Sequence, residues 1–557
     1  MTSIGQRKWV RNVVFVGLCL VGLGAVAGSL LSRNRVHPPL AADATVPQTA
    51  SFRATVAKID GEFRDSWAKF AVEPAARAPD LTLARRLSLG LCGTVPSVEE
   101  IRALEAQSPD DRVQWYVSHL LEDRRSSDYL AERLARAYVG TEDGPFLVFR
   151  RRRFVTWLSD QLRENKPYDE TVRALIADTG LWTSSPAVNF VTATLDSNED
   201  NQPDAIRLAA RTTRAFLGMR IDCLQCHDDK LGKFSFMDSA GHTRSGEQTD
   251  FHHLAAFYSE AKQSPTGIRD DLGRDYKYQF LHADEETVVQ PDVPFLAELL
   301  AQEGARREQL ARWVTHPRNE MFARATVNRV WAFMFGRPLV EPIDDISSTG
   351  PYPPALETLA EDFVQHGYDL RRLIRLIAAT EVFQLDSRAD FEITGKHEHR
   401  WAVFPLSRLR PEQVAGSMIQ AASLSTIDAD AHIAWQLMKF GQTNDFVSRY
   451  GDTGDDEFTD RGGTITQRLL MMNGNLVKER TDENIVINAS TRIAALADDQ
   501  SAIEVAYLAL LTRRPTTTEQ ALFAETLAKN KSGNARTHAL EDLYWVLLNT
   551  TEFSWNH

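Results

Sequence analysis

Cysteine is scarce in this chain: four residues among 557, at positions 19, 92, 223 and 226. Cys19 lies in an apolar N-terminal run, so three remain for the body, and two of those sit three residues apart. A scaffold stapled by several disulfides is excluded. No P-loop, G-x-S-x-G, H-E-x-x-H or Rossmann glycine pattern occurs, so none of the chemistries those motifs carry is indicated. No repeat of fixed period is found, which argues against a solenoid or propeller. Basic charge is also short: 63 Lys and Arg against 76 Asp and Glu give a net charge of −13. A nucleic-acid partner needs a basic face and is not expected. The run Arg151–Arg153 is a local exception that reads as a solvated helix face.

What is present begins at the N-terminus. Arg7, Lys8 and Arg11 precede an uncharged stretch from Asn12 to Ser32. At 1.5 Å per residue it is long enough to cross a bilayer. Residues 1–35 are therefore expected to form a single transmembrane or signal helix. Ala25-Val26-Ala27 also fits a signal-peptidase site. The positive flank should stay in the cytoplasm, which places the body in the cell envelope, on the periplasmic side of the inner membrane. Residues 36–50 read as a linker.

The body reads as mainly α: two packed multi-helix domains, 51–263 and 301–557, with a small β-hairpin between them in 264–300. Val56, Ile59, Phe63, Trp67 and Phe70 share one face of a helix predicted over Phe52–Phe70. A second helix, Leu81–Leu91, is stopped by Gly93; Ser97 and Glu100 then form a capping box. Arg150 to Gly180 reads as helix, turn at Asn165-Lys166-Pro167, helix. Tyr276, Tyr278, Phe280 and His282 alternate with Lys277, Gln279 and Leu281, as in a strand. Helices resume at Arg306 and run past Gly336, which ends one of them. Arg324, Asn328 and Arg329 share a face of that helix and need partners if buried; Asp344, Asp345 and Glu361 are the expected ones. Asp196, Asn198 and Asp200 open like a calcium loop, but Asn201 and Arg207 stand where Gly and Glu are required, so the segment reads as a solvated acidic loop.

Cys223, Cys226 and His227 form Cys-x-x-Cys-His, the attachment signature of haem c. Two thiols at this spacing can tether the ring, and the adjoining imidazole can be the proximal ligand. Met219, Met237, His242, His252 and His253 are candidates for the distal position. Zinc is the alternative, with the two thiolates and two of the histidines as ligands. A redox or structural disulfide is a further alternative. The expected function is that of an exported, membrane-anchored protein with an electron-transfer role and an unknown redox partner. The alternative is a non-catalytic zinc- or disulfide-stabilised envelope scaffold whose partner is unknown. Acid–base catalysis by Asp344 and Asp345 ranks last, because adjacent carboxylates on one loop rarely flank one substrate.

With these residues laid out, the chain resembles a family abundant in planctomycete bacteria that pairs two domains of unknown function, DUF1549 and DUF1553, also called PSCyt2 and PSD1. The first domain's marks are L-A-R-R-L-S-L-G-L-C-G-T-V-P-S-V-E-E from Leu83, N-K-P-Y-D at Asn165 and A-F-L-G-M-R-I-D-C-L-Q-C-H-D-D-K from Ala215. The second's are the run L-A-R-W-V-T-H-P-R-N-E-M-F-A-R-A-T-V-N-R-V-W from Leu310, D-D-I at Asp344, Y-P-P-A-L-E-T-L-A at Tyr352 and D-L-R-R-L-I-R-L-I-A at Asp369. The tail from Leu547 also fits. The resemblance implies a mostly helical, exported, cytochrome c-like protein; it implies no established reaction. Relatives often read C-H-D-H, where this chain has Asp229 in place of the second histidine.

Overall fold

The computed structural model describes residues 49–141, 149–195, 200–237, 241–428, 443, 445–451, 458, 464–474, 476–477, 489–494, 498–530 and 534–557. The expected N-terminal span and nearly all of the linker lie outside them, as does most of the acidic, glycine-rich tract 450–463. Among the described residues, no helix is long and apolar enough to cross a membrane.

These residues are mainly helical. The predicted first helix runs Ala50–Phe70 and buries Phe52, Ile59, Phe63 and Trp67. The next, Asp80–Cys92, ends at Gly93 with φ +69°, a left-handed conformation that costs a glycine little. Ser97 and Glu100 form the expected capping box. The helix–turn–helix is Arg151–Arg163 and Tyr168–Ala177. In the second half, Arg306–Val314 and Glu320–Phe335 are followed by Gly336, again left-handed.

Strand content is spread more widely than one hairpin. Three antiparallel pairs lie between residues 235 and 289: Ser235–Met237 with Thr243–Ser245, Ala261–Ser264 with Gly267–Asp270, and Tyr276–Tyr278 with Thr287–Val289. A fourth joins Ser407–Arg408 to Trp555–Asn556. The strands are only two to four residues long; alternation at Tyr276 and Tyr278 marks the third pair, and the others are too short to show it. The last pair joins residues far apart in sequence, which no local pattern can reveal.

Helix Glu320–Phe335 lies at the centre, buried at every position but Glu320 and Arg324. It packs against Pro354–Gln365, against Asp80–Cys92 and against the turn Thr213–Leu217 that leads to the cysteine motif. One apolar core therefore runs from Phe52 to Phe404 and draws on both halves of the sequence. A second core gathers Leu409, Ile419, Ile503, Leu540 and Phe553, and also takes Leu89, Val95, Val98 and Ile101 from the first half.

The partners of the buried polar face differ from those the sequence suggested. Arg324 binds Glu357 and Glu320. Asn328 makes a two-way pair with the backbone of Val340, both bonds 2.9 Å. Glu361 pairs with Lys58. Asp344 and Asp345 turn instead to the cysteine motif. Sequence spacing placed these groups near one another but could not show which loop folds back.

Candidate functional site

The motif is delivered by an unusual helix end. Asp204 caps helix Ala205–Thr212 by accepting from the amides of Ile206 and Arg207. The helix then widens into a π turn, Thr213–Leu217, and stops at Gly218 with φ +63°. Such wide turns are common where a helix must re-aim its end. Met219 and Ile221 dive into the core. A 3₁₀ turn, Asp222–Gln225, brings the chain out again. Leu224 is its buried anchor, and Cys223, Cys226 and His227 stand exposed around it. The two thiols are free, with no bridge between them.

The turn is pinned by a single carbonyl. The Gln225 oxygen accepts from His252 Nε2 at 3.0 Å, from Gln248 Nε2 at 3.0 Å and from the Tyr278 hydroxyl at 3.2 Å. A carbonyl only accepts, so His252 carries its proton on Nε2. Nδ1 is then the acceptor for the Tyr276 hydroxyl at 2.9 Å. The ring is buried and stacks on Tyr278 with centroids 3.5 Å apart. Burial pushes its pKa below the usual imidazole value. His252 is thus a neutral strut behind the motif, with both nitrogens engaged.

The same tautomer argument gives His227 the opposite disposition. Its Nδ1 lies 2.9 Å from the carbonyl of Asp228, so Nδ1 holds the proton. The lone pair on Nε2 is left for an outside partner. A backbone carbonyl orienting a ligating histidine in this way is a common arrangement at metal centres. The next two residues fold the loop: Asp228 accepts from the Gln248 amide at 2.8 Å, and Asp229 from the Leu231 amide at 3.0 Å and the Phe234 amide at 2.5 Å. Asp229, standing where relatives often have a second histidine, is a loop-capping carboxylate here.

The other residues singled out from the sequence are dispersed. Met219 is buried in the core. Met237 ends its strand at the surface, 46% exposed. His242 is exposed just before the partner strand. His253 gives its Nδ1–H to the Gln290 carbonyl at 2.6 Å. Among the described residues, no group of three or more His, Cys, Asp or Glu side chains is arranged to hold a metal ion.

A clamp from the second half closes over the motif, and sequence reasoning missed its role. Asp344 is buried between Arg214 at 2.5 Å and Arg220 at 2.9 Å. Burial opposes its charge, but the two guanidiniums outweigh that and hold its carboxyl below the ordinary range. Asp345 pairs with Lys233 at 2.9 Å, which raises the lysine's pKa. The Ile346 amide donates to the Gly218 carbonyl at 2.7 Å. The D-D-I tripeptide and the motif thus form one unit, joined through the cations Arg214, Arg220 and Lys233 that flank the cysteines in sequence.

Comparison with known proteins bears on both halves. The family model PSCyt2, described as a protein of unknown function (DUF1549), matches residues 58–262. The family model PSD1, described as a protein of unknown function (DUF1553), matches residues 306–432. No curated protein and no solved structure matches the chain. Cys223, Cys226 and His227 lie within the first matched segment; Asp344, Asp345 and Ile346 lie within the second.

Proposed function

Because the chain belongs to the proteins that join a PSCyt2 (DUF1549) to a PSD1 (DUF1553) domain, descriptions that leave the reaction open, we propose from its own residues that it is an exported, membrane-anchored electron-transfer protein carrying haem c at Cys223–His227. One observation carries this reading: two free, solvent-facing thiols share a turn with an imidazole whose Nε2 is left unengaged. Cys223 and Cys226 would hold the ring by thioether bonds, and His227 would be the axial ligand. Bound there, haem would supply a one-electron iron couple.

The surrounding residues suit that task. The Gln225 carbonyl, with its three donors, keeps the turn from shifting. The Asp344 clamp ties it to the second half of the chain through Arg220 and through the Ile346 amide on the Gly218 carbonyl. Leu231, 94% exposed, lies four residues beyond His227, and Leu281, 59% exposed, is tied to the site through its amide bond to Gln248. Zinc would need two further ligands beside the thiolates. His252 could serve only by giving up one of its two hydrogen bonds, and among the described residues no three His, Cys, Asp or Glu side chains converge on one point, so haem is the better-supported reading.

The test is expression of the exported protein in a host with haem-maturation machinery. A Soret band that survives denaturation is expected, lost in Cys223→Ala/Cys226→Ala. In His227→Ala, covalent haem should persist with an altered spectrum. Wild-type protein free of covalent haem under these conditions sinks the reading.

A further inference from the structure

Far from the cysteine motif, a cleft of about 380 Å³ opens where four parts of the chain meet. Its walls come from the start of helix Asp80–Cys92, from residues 104–112, from the segment 386–388, and from residues around 511–514, 552 and 557. That volume falls within the range of small-molecule sites. It is independent of the proposed haem site.

Five arginines line it: Arg85, Arg112, Arg388, Arg513 and Arg514. In a chain of net charge −13 that concentration is unusual. Four carboxylates face them, and three are committed. Asp80 is held by Arg112 at 2.9 Å. Glu105 is held by Arg514 at 2.6 Å, and Glu552 by Arg513 at 2.6 Å. The fourth, Asp386, accepts from the Arg388 amide at 3.1 Å. Two guanidiniums are left over. Arg388 is exposed, and its side chain has no hydrogen-bond or ion-pair partner among the described residues. Arg85 is fully buried and bonds only to carbonyl oxygens, those of Leu510 at 3.1 Å and Phe553 at 3.0 Å among them. Its Nε has no partner at all. The field shows on His557 beside it, whose pKa is pushed down to about 4 by burial and then by Arg85.

The helix adds donors of its own. Pro79, Asp80, Leu81 and Thr82 all line the cleft. The helix has no side-chain cap. Among the described residues, the amides of Asp80, Leu81 and Thr82 find no acceptor. Free first-turn amides at the positive end of a helix are a ready anion site. Here they share a cleft with a free guanidinium and with a buried one whose hydrogen bonds all go to neutral carbonyls, Glu552 being the carboxylate that offsets part of its charge.

We propose that this cleft binds a small organic oxyanion, its carboxylate or phosphate group held by the first-turn amides of helix Asp80–Cys92 and the guanidinium of Arg388, with Arg85 supplying charge from beneath. The space exceeds what an inorganic ion fills, so the anion carries an organic body.

Isothermal titration calorimetry on the full-length protein, at fixed ionic strength in chloride, tests it with three probes: inorganic phosphate, glycerol 3-phosphate and succinate. Saturable binding of glycerol 3-phosphate or succinate is expected, and whichever binds tells a phosphate site from a carboxylate site. Arg388→Ala should weaken that binding at least about tenfold, the loss of one charge-assisted hydrogen bond. Its melting temperature without ligand should be unchanged, because the side chain is exposed and unpaired. Arg53→Ala, which removes an exposed charge elsewhere, should bind as wild type does. The proposal is overturned if none of the probes binds above the chloride background, if only inorganic phosphate binds, if Arg388→Ala binds as tightly as wild type, or if Arg53→Ala weakens binding equally.

Discussion

At the scale of single residues, the site depends on groups that leave almost no trace in composition. Asp229 is one. Its carboxylate caps two amides of the loop that follows His227; a hydrogen bond to a charged group contributes about 1.5–3 kcal/mol, and at this half-exposed position water replaces part of the two. Asp229→Ala should therefore lower stability by about 1.5–3 kcal/mol, read from urea unfolding, while leaving Cys223 and Cys226 reactive to thiol reagents. An unchanged midpoint would mean that the loop holds its shape without the carboxylate. Gly218 is another. A Cβ there would meet Ile346 at 3.0 Å and Ala325 at 3.2 Å in a backbone with φ +63°. Gly218→Ala is expected to cost about 1–2 kcal/mol from the left-handed backbone alone, and more from crowding the clamp. Gly232→Ala, at φ +68° with open space around it, should show only the backbone part. Equal losses in the two variants would remove the clamp from the argument. The motif itself was legible because three side chains carry its chemistry at fixed spacing. The tautomers of His227 and His252 were not, since each depends on a carbonyl brought in by folding.

At the scale of elements, the helices were readable wherever the apolar period was long and the ends were marked by glycine or a cap. The capping box at Ser97 shows what reading the sequence caught and what it could not. Ser97 and Glu100 exchange the two expected bonds, at 2.8 and 3.0 Å. Glu100 is also buried against Arg125, 2.5 Å away, with His119 at 3.7 Å. Burial works against its charge, but Arg125 and His119 outweigh it and hold the carboxyl far below the usual range. A carboxyl depressed in the folded chain contributes stability that is present above its unfolded pKa of about 4.3 and is lost as pH falls below that value. Glu100→Gln should thus be less stable than wild type at neutral pH, and its stability should fall less between pH 5 and pH 3. Urea midpoints measured across that range check this; parallel curves for the two proteins would rule out Glu100 as a contributor to acid sensitivity. The hairpins were hard to read for the opposite reason. Apart from Tyr276–Tyr278, which alternation marked, strands of two to four residues carry too little of it, and the Ser407–Arg408 pairing depends on residues 555–556, far along the chain.

At the scale of the whole molecule, the two segments that family comparison separates share one interior. Thr55 and Glu62 on the first helix bond to Asp362 and Thr358 at 3.0 and 2.8 Å. The Tyr168 ring stacks on Phe322 with centroids 5.7 Å apart. Arg307, fully buried, reaches back to Asp270 and to the carbonyls of Ile176 and Asp178. Arg86 bonds to the carbonyls of Phe383 and Leu385, with its guanidinium 3.6 Å from the centre of the Phe404 ring. Cutting the chain between residues 300 and 301 would open this core on both sides and leave Arg86 and Arg307 without acceptors that they cannot replace from their own half. Large apolar faces exposed by such a cut favour a loosely packed state over a cooperative one. We therefore expect residues 51–300 and 301–557, produced apart, to keep helical circular dichroism, melt broadly and bind a hydrophobic dye. Produced together, they should associate and recover a single sharp transition, because every contact across the cut is restored. A sharp, dye-free transition from 51–300 alone would mean that the first segment closes its own core. The Asp344 clamp would then be an addition to the cysteine motif rather than part of what shapes it.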